Sequence, residues 1–197
     1  MQNALPKTEG LRERNRRQTL QRIAEVGVEL FLAKGYEATT LDEIAAAAGI
    51  SRRTFFYYFK GKDDILLAHL GSYPDALTAA VRESASAGAP VDVVREALLK
   101  LSNRFQSSRT IAIARLIRQN GALRASRHGR DLELERVLHE ALCELWPAKQ
   151  RREGLRFLAM ASLGAMRLAV DAWIEQDGKR PLVKYIRDAF KNLKAEI

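Results

Sequence analysis

The chain has one cysteine, three histidines and fourteen aromatic residues in 197, and each shortage rules something out. Cys143 has no partner for a disulfide within the chain and suits a reducing compartment. Its setting, "ALCELW", reads as a small packed side chain rather than a reactive thiol. His69, His128 and His139 are scattered, with no i,i+4 histidine pair and no neighbouring cysteine ligand set, so no metal centre is expected. Phosphate loops are missing as well. There is no G-x-G-x-x-G, and the "GK" at 61–62 lacks the glycine five residues earlier that a Walker loop requires. An enzyme and a bound cofactor are both unexpected. The opening "MQNALPKTEGLRERNRRQ" has no apolar core of a signal peptide. The longest apolar stretch, "FLAMASLGAMRLAVDAWI" (157–174), is interrupted by Arg167 and Asp171 and is marginal in length for a span. It reads as a buried helix, and the chain as a cytoplasmic protein.

What the sequence does have is helical periodicity almost throughout and an excess of positive charge. Strand-like alternation is not found, so the expected class is all-α. The formal charge is +9 with a pI near 9.9, which permits nucleic acid or another acidic partner. Residues 1–62 hold eleven basic residues against seven acidic ones, a modestly denser excess than in the rest. About nine helices are expected. The first runs from roughly Arg12 to Lys34 with Leu20, Ile23, Gly27, Leu30 and Phe31 on one face, and Gly35 stops it. "TLDE" then forms a capping box, Thr40 with Glu43, ahead of a short helix whose stripe is Leu41, Ile44, Ala45 and Ala48. Gly49 supplies a turn, Ser51 caps a third short helix over Arg52 to Tyr58, and "KGK" (60–62) ends it. Longer helices are expected near 63–85, 91–106, 108–119, 128–146, 149–176 and 181–195, with "NGALRASRHG" (120–129) as punctuation. A boundary near residue 62 divides the chain into 1–62, three short helices with a basic arm, and 63–197, a larger helical body.

Two short helices joined by a tight glycine turn, braced by a first helix, describe a helix-turn-helix. The second helix is small and Ala-rich ("IAAAAG"), so a recognition helix can cross it closely; Gly49 tolerates positive φ and Ile50 pins the corner. The third helix needs one buried face and one face free for the major groove. More than a third of the chain's aromatics sit there, in "RRTFFYYFKGK". Phe55 and Phe59, four apart, fall on the inner face; Arg52, Arg53, Phe56 and Tyr57 fall outward or on the flanks. Arg52 or Arg53 could grip guanine O6 and N7 bidentately, Thr54 could meet a phosphate or a thymine methyl, and Lys62 could hold a phosphate.

Residues 20–66, "LQRIAEVGVELFLAKGYEATTLDEIAAAAGISRRTFFYYFKGKDDIL", resemble the DNA-binding domain of the TetR family of bacterial repressors. The resemblance covers about a quarter of the chain, at the N-terminal position the family uses. It implies that Thr40, Tyr58 and Lys62 face phosphates and that Arg52, Arg53 and Tyr57 face or flank bases. Phe56 departs from the pattern, which usually has tyrosine there; the missing hydroxyl removes a phosphate hydrogen bond. Asp42 stands where some members reach a base, and could equally serve the helix dipole. Arg12, Arg14, Arg16 and Arg17 could reach phosphates or the minor groove, or be a solvated basic start to the first helix.

The family appends a variable helical domain for ligand binding and dimerisation. By that resemblance, 149–176 and 181–195 form a four-helix interface with a second copy, placing two recognition helices about 34–36 Å apart on a palindromic double-stranded operator. The segment from Phe157 to Ile174 is apolar nearly all round, so it needs cover on more than one side. A pocket among the middle helices would draw on Phe105, Ile113, Leu116, Trp146, Phe157, Met160 and Met166, each of which also suits ordinary core. The recognition helix resembles that of members linked to acyl-CoA, so a small apolar or amphipathic effector is expected, with Arg115 or Arg118 pairing an anionic ligand or lying on a solvated face. The implied function is a ligand-released repressor. A ligand-independent regulator, an activator or a docking module are the alternatives.

Overall fold

The computed structural model describes residues 10–69, 73–103 and 108–196, and among them every regular element is helical. The chain divides into two compact units, Met1–Gly71 and Ser72–Ile197. The first holds α1 (Leu11–Lys34), α2 (Leu41–Ala47), α3 (Arg52–Tyr58) and α4 (Lys62–His69). The second holds α5 (Tyr73–Glu83), α6 (Pro90–Ser102), α7 (Ser108–Gln119), α8 (Gly121–Leu145), α9 (Arg152–Glu175) and α10 (Leu182–Glu196), with short 3-10 turns at Ala85–Ala87 and Lys149–Arg151.

The first unit is built around α1. Its Ile23, Ala24, Val28 and Phe31 are buried with Ile44 and Ala45 of α2, Phe55 of α3, Phe59 and, from α4, Ile65 and Leu66. Gly27 faces α4 so closely that a Cβ there would stand 2.6 Å from Ile65 Cγ2, nearer than carbon atoms pack. That contact explains why the division between units falls after α4, at 71/72, and not at the 62/63 boundary expected from the sequence. Hydrophobic burial here is spread over short elements, so their ends must be capped rather than left to fray.

The second unit has one continuous core. Val94, Ala97, Leu98 and Leu101 of α6 meet Leu77 and Val81 of α5, Leu138 and Leu142 of α8, Ala159 and Trp173 of α9, and Ile186 and Phe190 of α10. Three elements differ from the sequence reading. The single helix expected over 63–85 is two, α4 and α5, with Pro74, which has no amide to donate, in the first turn of α5 where none is needed. The punctuation expected at 120–129 is the opening of α8: Asn120 Oδ1 accepts the Leu123 amide at 3.2 Å, a side-chain cap that lets the helix start at Gly121. The expected helix over 91–106 ends at Ser102. Ten α-helices among the described residues thus replace the nine expected.

Lys149–Glu175 is long and apolar enough by composition to cross a membrane. Its inner residues are those of the core, and Arg167 pairs with Asp131 of α8 at 3.0 Å.

Candidate nucleic-acid interface

Two caps and a turn hold α2 and α3 in place. Thr40 Oγ1 accepts the Glu43 amide at 3.2 Å while Glu43 Oε2 accepts the Thr40 amide at 2.9 Å, so the expected capping box is formed. Gly49 turns the chain at φ 67°, a conformation costly for any residue with a Cβ, and the Ile50 amide returns to Ala45 O at 3.0 Å. Ser51 Oγ then accepts the Thr54 amide at 3.1 Å and starts α3. Phe55 and Phe59 are buried with their rings stacked at 5.7 Å. These anchors leave the other face of α3 to solvent: Arg52 and Arg53 are exposed, Phe56 is 47% exposed and Tyr57 75%. Thr54 and Tyr58 are half-buried at its edge, Tyr58 edge-on to Tyr57 at 5.1 Å.

Several charged residues are engaged across the fold in ways that sequence spacing does not reveal. Lys62 sends its ammonium inward, donating to Tyr36 O at 2.8 Å, Thr39 O at 3.1 Å and Glu37 O at 3.4 Å, and lies 4.6 Å from the Tyr36 ring centroid. The Tyr36 hydroxyl in turn donates to Asp63, and burial together with that carboxylate pushes the phenol's pKa up. Lys62 therefore gathers the carbonyls of the loop that delivers Thr40. Asp42 pairs with Arg52, Oδ2 to Nη1 at 3.0 Å, across the α2–α3 turn. Arg52 also stands with its Cζ 5.8 Å from the centroid of Phe56. Glu43 is bound by the Lys34 ammonium as well as by Thr40, and these hydrogen bonds hold its carboxyl at about 2. In α1, Arg12, Arg14, Arg16 and Arg17 are exposed on the first turns, with Arg16 3.5 Å from Glu13.

The residues considered for a ligand pocket stand in different settings. Ile113 is buried and Leu116 half-buried on α7; Trp146 ends α8 with the Arg151 guanidinium 6.0 Å over its ring; Met166 packs half-buried against the core. Phe157 and Met160 are 60% and 49% exposed on α9, and Phe105 lies outside the described residues. Arg115 and Arg118 pair with Asp177 at 2.8 Å and Glu175 at 3.2 Å, tying α7 to the end of α9 and the turn after it, so both have acidic partners within the protein. A cleft of about 320 Å³ between α6 and α10 is lined by Arg95, Glu96, Arg187, Phe190, Lys191 and Lys194. His139 and Cys143 are neighbours after all, Nε2 to Sγ at 3.2 Å, as their i,i+4 spacing in "HEALC" allows. Among the described residues no three His, Cys, Asp or Glu side chains gather as metal ligands.

A capped, glycine-turned helix pair with an inner aromatic anchor and an outward Arg-Arg-Tyr face defines a helix-turn-helix protein. Residues 23–69 match the family described as bacterial regulatory proteins, tetR family, and residues 88–197 match the MftR C-terminal domain. The chain belongs to the tetR family, whose members are regulators and not enzymes. It is 30% identical to the HTH-type transcriptional regulator TcmR of Streptomyces glaucescens over 138 residues, 66% of this chain and 61% of that protein. It is 37% identical over 98 residues to MftR of Mycobacterium tuberculosis, a candidate mycofactocin biosynthesis regulator, covering 50% of this chain and 49% of that one. The aligned part thus spans 61% and 49% of these two relatives. In fold it is similar to FadR from Bacillus subtilis in complex with stearoyl-CoA, with a TM-score of 0.63, 21% identity and coverage of 89% of this chain and 98% of the other.

Proposed function

We propose that the protein is a homodimeric, cytoplasmic transcriptional repressor that binds a palindromic operator and is released by a small amphipathic effector. One observation carries the DNA reading: Phe55 and Phe59 are buried beneath α3, and the same helix turns Arg52, Arg53 and Tyr57 to solvent. That division fits a recognition helix, which needs a rigid inner face and an outer face of bidentate donors and flat rings. Thr54 and Tyr58 at its edge and Thr40 at the α2 N-terminus are suited to phosphates, and Lys62 holds the loop that positions Thr40.

Dimerisation is supported by α9. Phe157, Met160 and Leu168, the last 69% exposed, share one stripe with Gly164 between them, an apolar face on a helix whose other side is already core. Isologous pairing of this face, with α10 alongside, gives a two-fold dimer that carries two copies of α3. The effector reading is supported by two structural neighbours, FadR proteins in complex with lauroyl-CoA and stearoyl-CoA. An effector bound by the second unit favours the dimer state whose recognition helices fit the operator worse, and affinity falls by population shift.

Footprinting on the region upstream of the gene tests this directly. A protected palindrome with half-sites one turn apart, lost when a long-chain acyl-CoA is added, is the expected result. Protection that ignores acyl-CoA leaves a ligand-independent regulator, and absence of any duplex affinity at low salt leaves a docking module.

A further inference from the structure

We infer that Phe56 and Asp42 form a seat for the Arg52 guanidinium, so that Phe56 sets base specificity through Arg52 and not through the phosphate backbone. The inference rests on the DNA reading above and deepens it. Arg52 and Phe56 are four apart on α3, and the guanidinium carbon lies 5.8 Å from the ring centroid, within the range where the face of an aromatic ring attracts a cation. The ring is itself fixed, edge-on to the buried Phe55 at 5.6 Å and 89°. From the other side, Asp42 Oδ2 accepts from Arg52 Nη1 at 3.0 Å. Ring and carboxylate come from different helices, so together they restrict a long side chain that would otherwise sweep many rotamers.

One of five guanidinium donors is spent on Asp42, which leaves enough of the fork for a bidentate grip on guanine O6 and N7. An acidic residue on a surface meant for a polyanion is a cost in affinity. It makes physical sense where its partner's direction matters more than one unit of charge. Phenylalanine suits this seat because the hydroxyl a tyrosine would carry contributes nothing to the ring's attraction for the cation. Phe56 is thus a positioning residue, and the group it positions is the one that reads the base.

The test is a binding series on the full-length protein. A site is first selected from a randomised duplex pool; then every base pair of one half-site is changed singly, and Kd is measured at fixed salt for the wild type, Arg52→Ala, Phe56→Leu, Phe56→Tyr and Asp42→Asn. Arg52→Ala identifies the base pair it reads by abolishing a preference of roughly 5- to 150-fold there. Phe56→Leu is expected to reduce that same preference by about 2- to 5-fold and leave the other positions alone. Phe56→Tyr is expected to keep it. Asp42→Asn is expected to tighten binding to every duplex while blunting the preference at the Arg52 position, a pair of opposite effects that loss of structure does not produce. Equal weakening at all positions by Phe56→Leu, or no change at any, overturns the seat. A wild type that selects no site overturns the DNA reading itself, which is a separate result.

Discussion

The two units expose opposite kinds of surface and are held together in opposite ways. In the first, four helices of which three are only seven or eight residues long are fixed by caps, a glycine turn and the Lys62 contacts, and the face left over is cationic and aromatic. In the second, helices of 11 to 25 residues are positioned mainly by the one apolar core that spans them, and the face left over on α9 is apolar. A short helix gains too little from its own hydrogen bonds to stand alone, so local polar devices decide its position. A long one is positioned by what it buries. The leftover faces then point to different partners: the first suits a polyanion read by polar groups, the second a copy of the same chain.

The largest effects break the comparison at its anchors. Phe55→Ala removes a fully buried ring from the smaller core and is expected to cost about 3–5 kcal/mol, read as lost amide protection across α1 to α4. Phe157→Ala, on the exposed α9 stripe, is expected to cost the monomer no more than about 0.5 kcal/mol. Comparable losses at the two positions in dilute, monomeric protein would mean that Phe157 is core and that the contrast between the units fails.

The α9 stripe gives the next effect. Placing charge on it with Phe157→Glu and Leu168→Glu is expected to weaken self-association at least a hundredfold, about 2.7 kcal/mol, with the helical circular dichroism kept. Sedimentation velocity reads this directly, and a double variant that still sediments as a dimer would put the interface elsewhere.

Lys62 sharpens the distinction inside the first unit. A lysine that touches a phosphate loses that contact on mutation to alanine, and the dependence of log K on log salt becomes shallower by about 0.9. A lysine that instead holds the Tyr36–Thr39 loop lowers affinity for all sequences by about tenfold, roughly 1.4 kcal/mol for its lost charged hydrogen bonds, and leaves the salt slope as it was. The three carbonyls around its ammonium favour the second outcome. A shallower slope in Lys62→Ala would return it to the phosphate.

Much of the first unit was legible in the sequence because its devices are local. Thr40 and Glu43 lie three apart, Ser51 and Thr54 three apart, Phe55 and Phe59 four apart, and each relation is a short-range rule of helix geometry. What was hidden depends on the tertiary fold: Lys62 meets Tyr36 O from 26 residues away and Arg52 meets Asp42 from ten, and no spacing rule reaches across a turn whose angle is unknown. In the second unit, Gly121 and Gly129 mask the start of α8, which the Asn120 cap secures, and hydrophobicity alone does not say whether Phe157 faces inward or out. The pairing of His139 with Cys143, by contrast, follows from their i,i+4 spacing.

The smallest effect lies in the capping box. Lys34 and the Thr40 backbone and hydroxyl hold the Glu43 carboxyl at about 2, below the usual value near 4.5. A carboxyl whose pKa is depressed on folding adds stability that is present above the unfolded value and drains away as pH falls from about 4.5 toward 2. Glu43 reaches solvent and its ion pair with Lys34 is screened by salt, so the loss is local fraying at the start of α2 and not unfolding of the unit. The Glu43 carboxyl shift followed by NMR should titrate near 2 at low ionic strength, rise toward 4.5 in Lys34→Ala, and rise partway in 1 M salt. Protection of the Glu43 amide, which rests on the Thr40 hydroxyl, should fall over the same interval. A wild-type midpoint near 4.5 would show that the cap is held by its neutral hydrogen bonds alone, and that the first unit relies less on charge than its contrast with the second suggests.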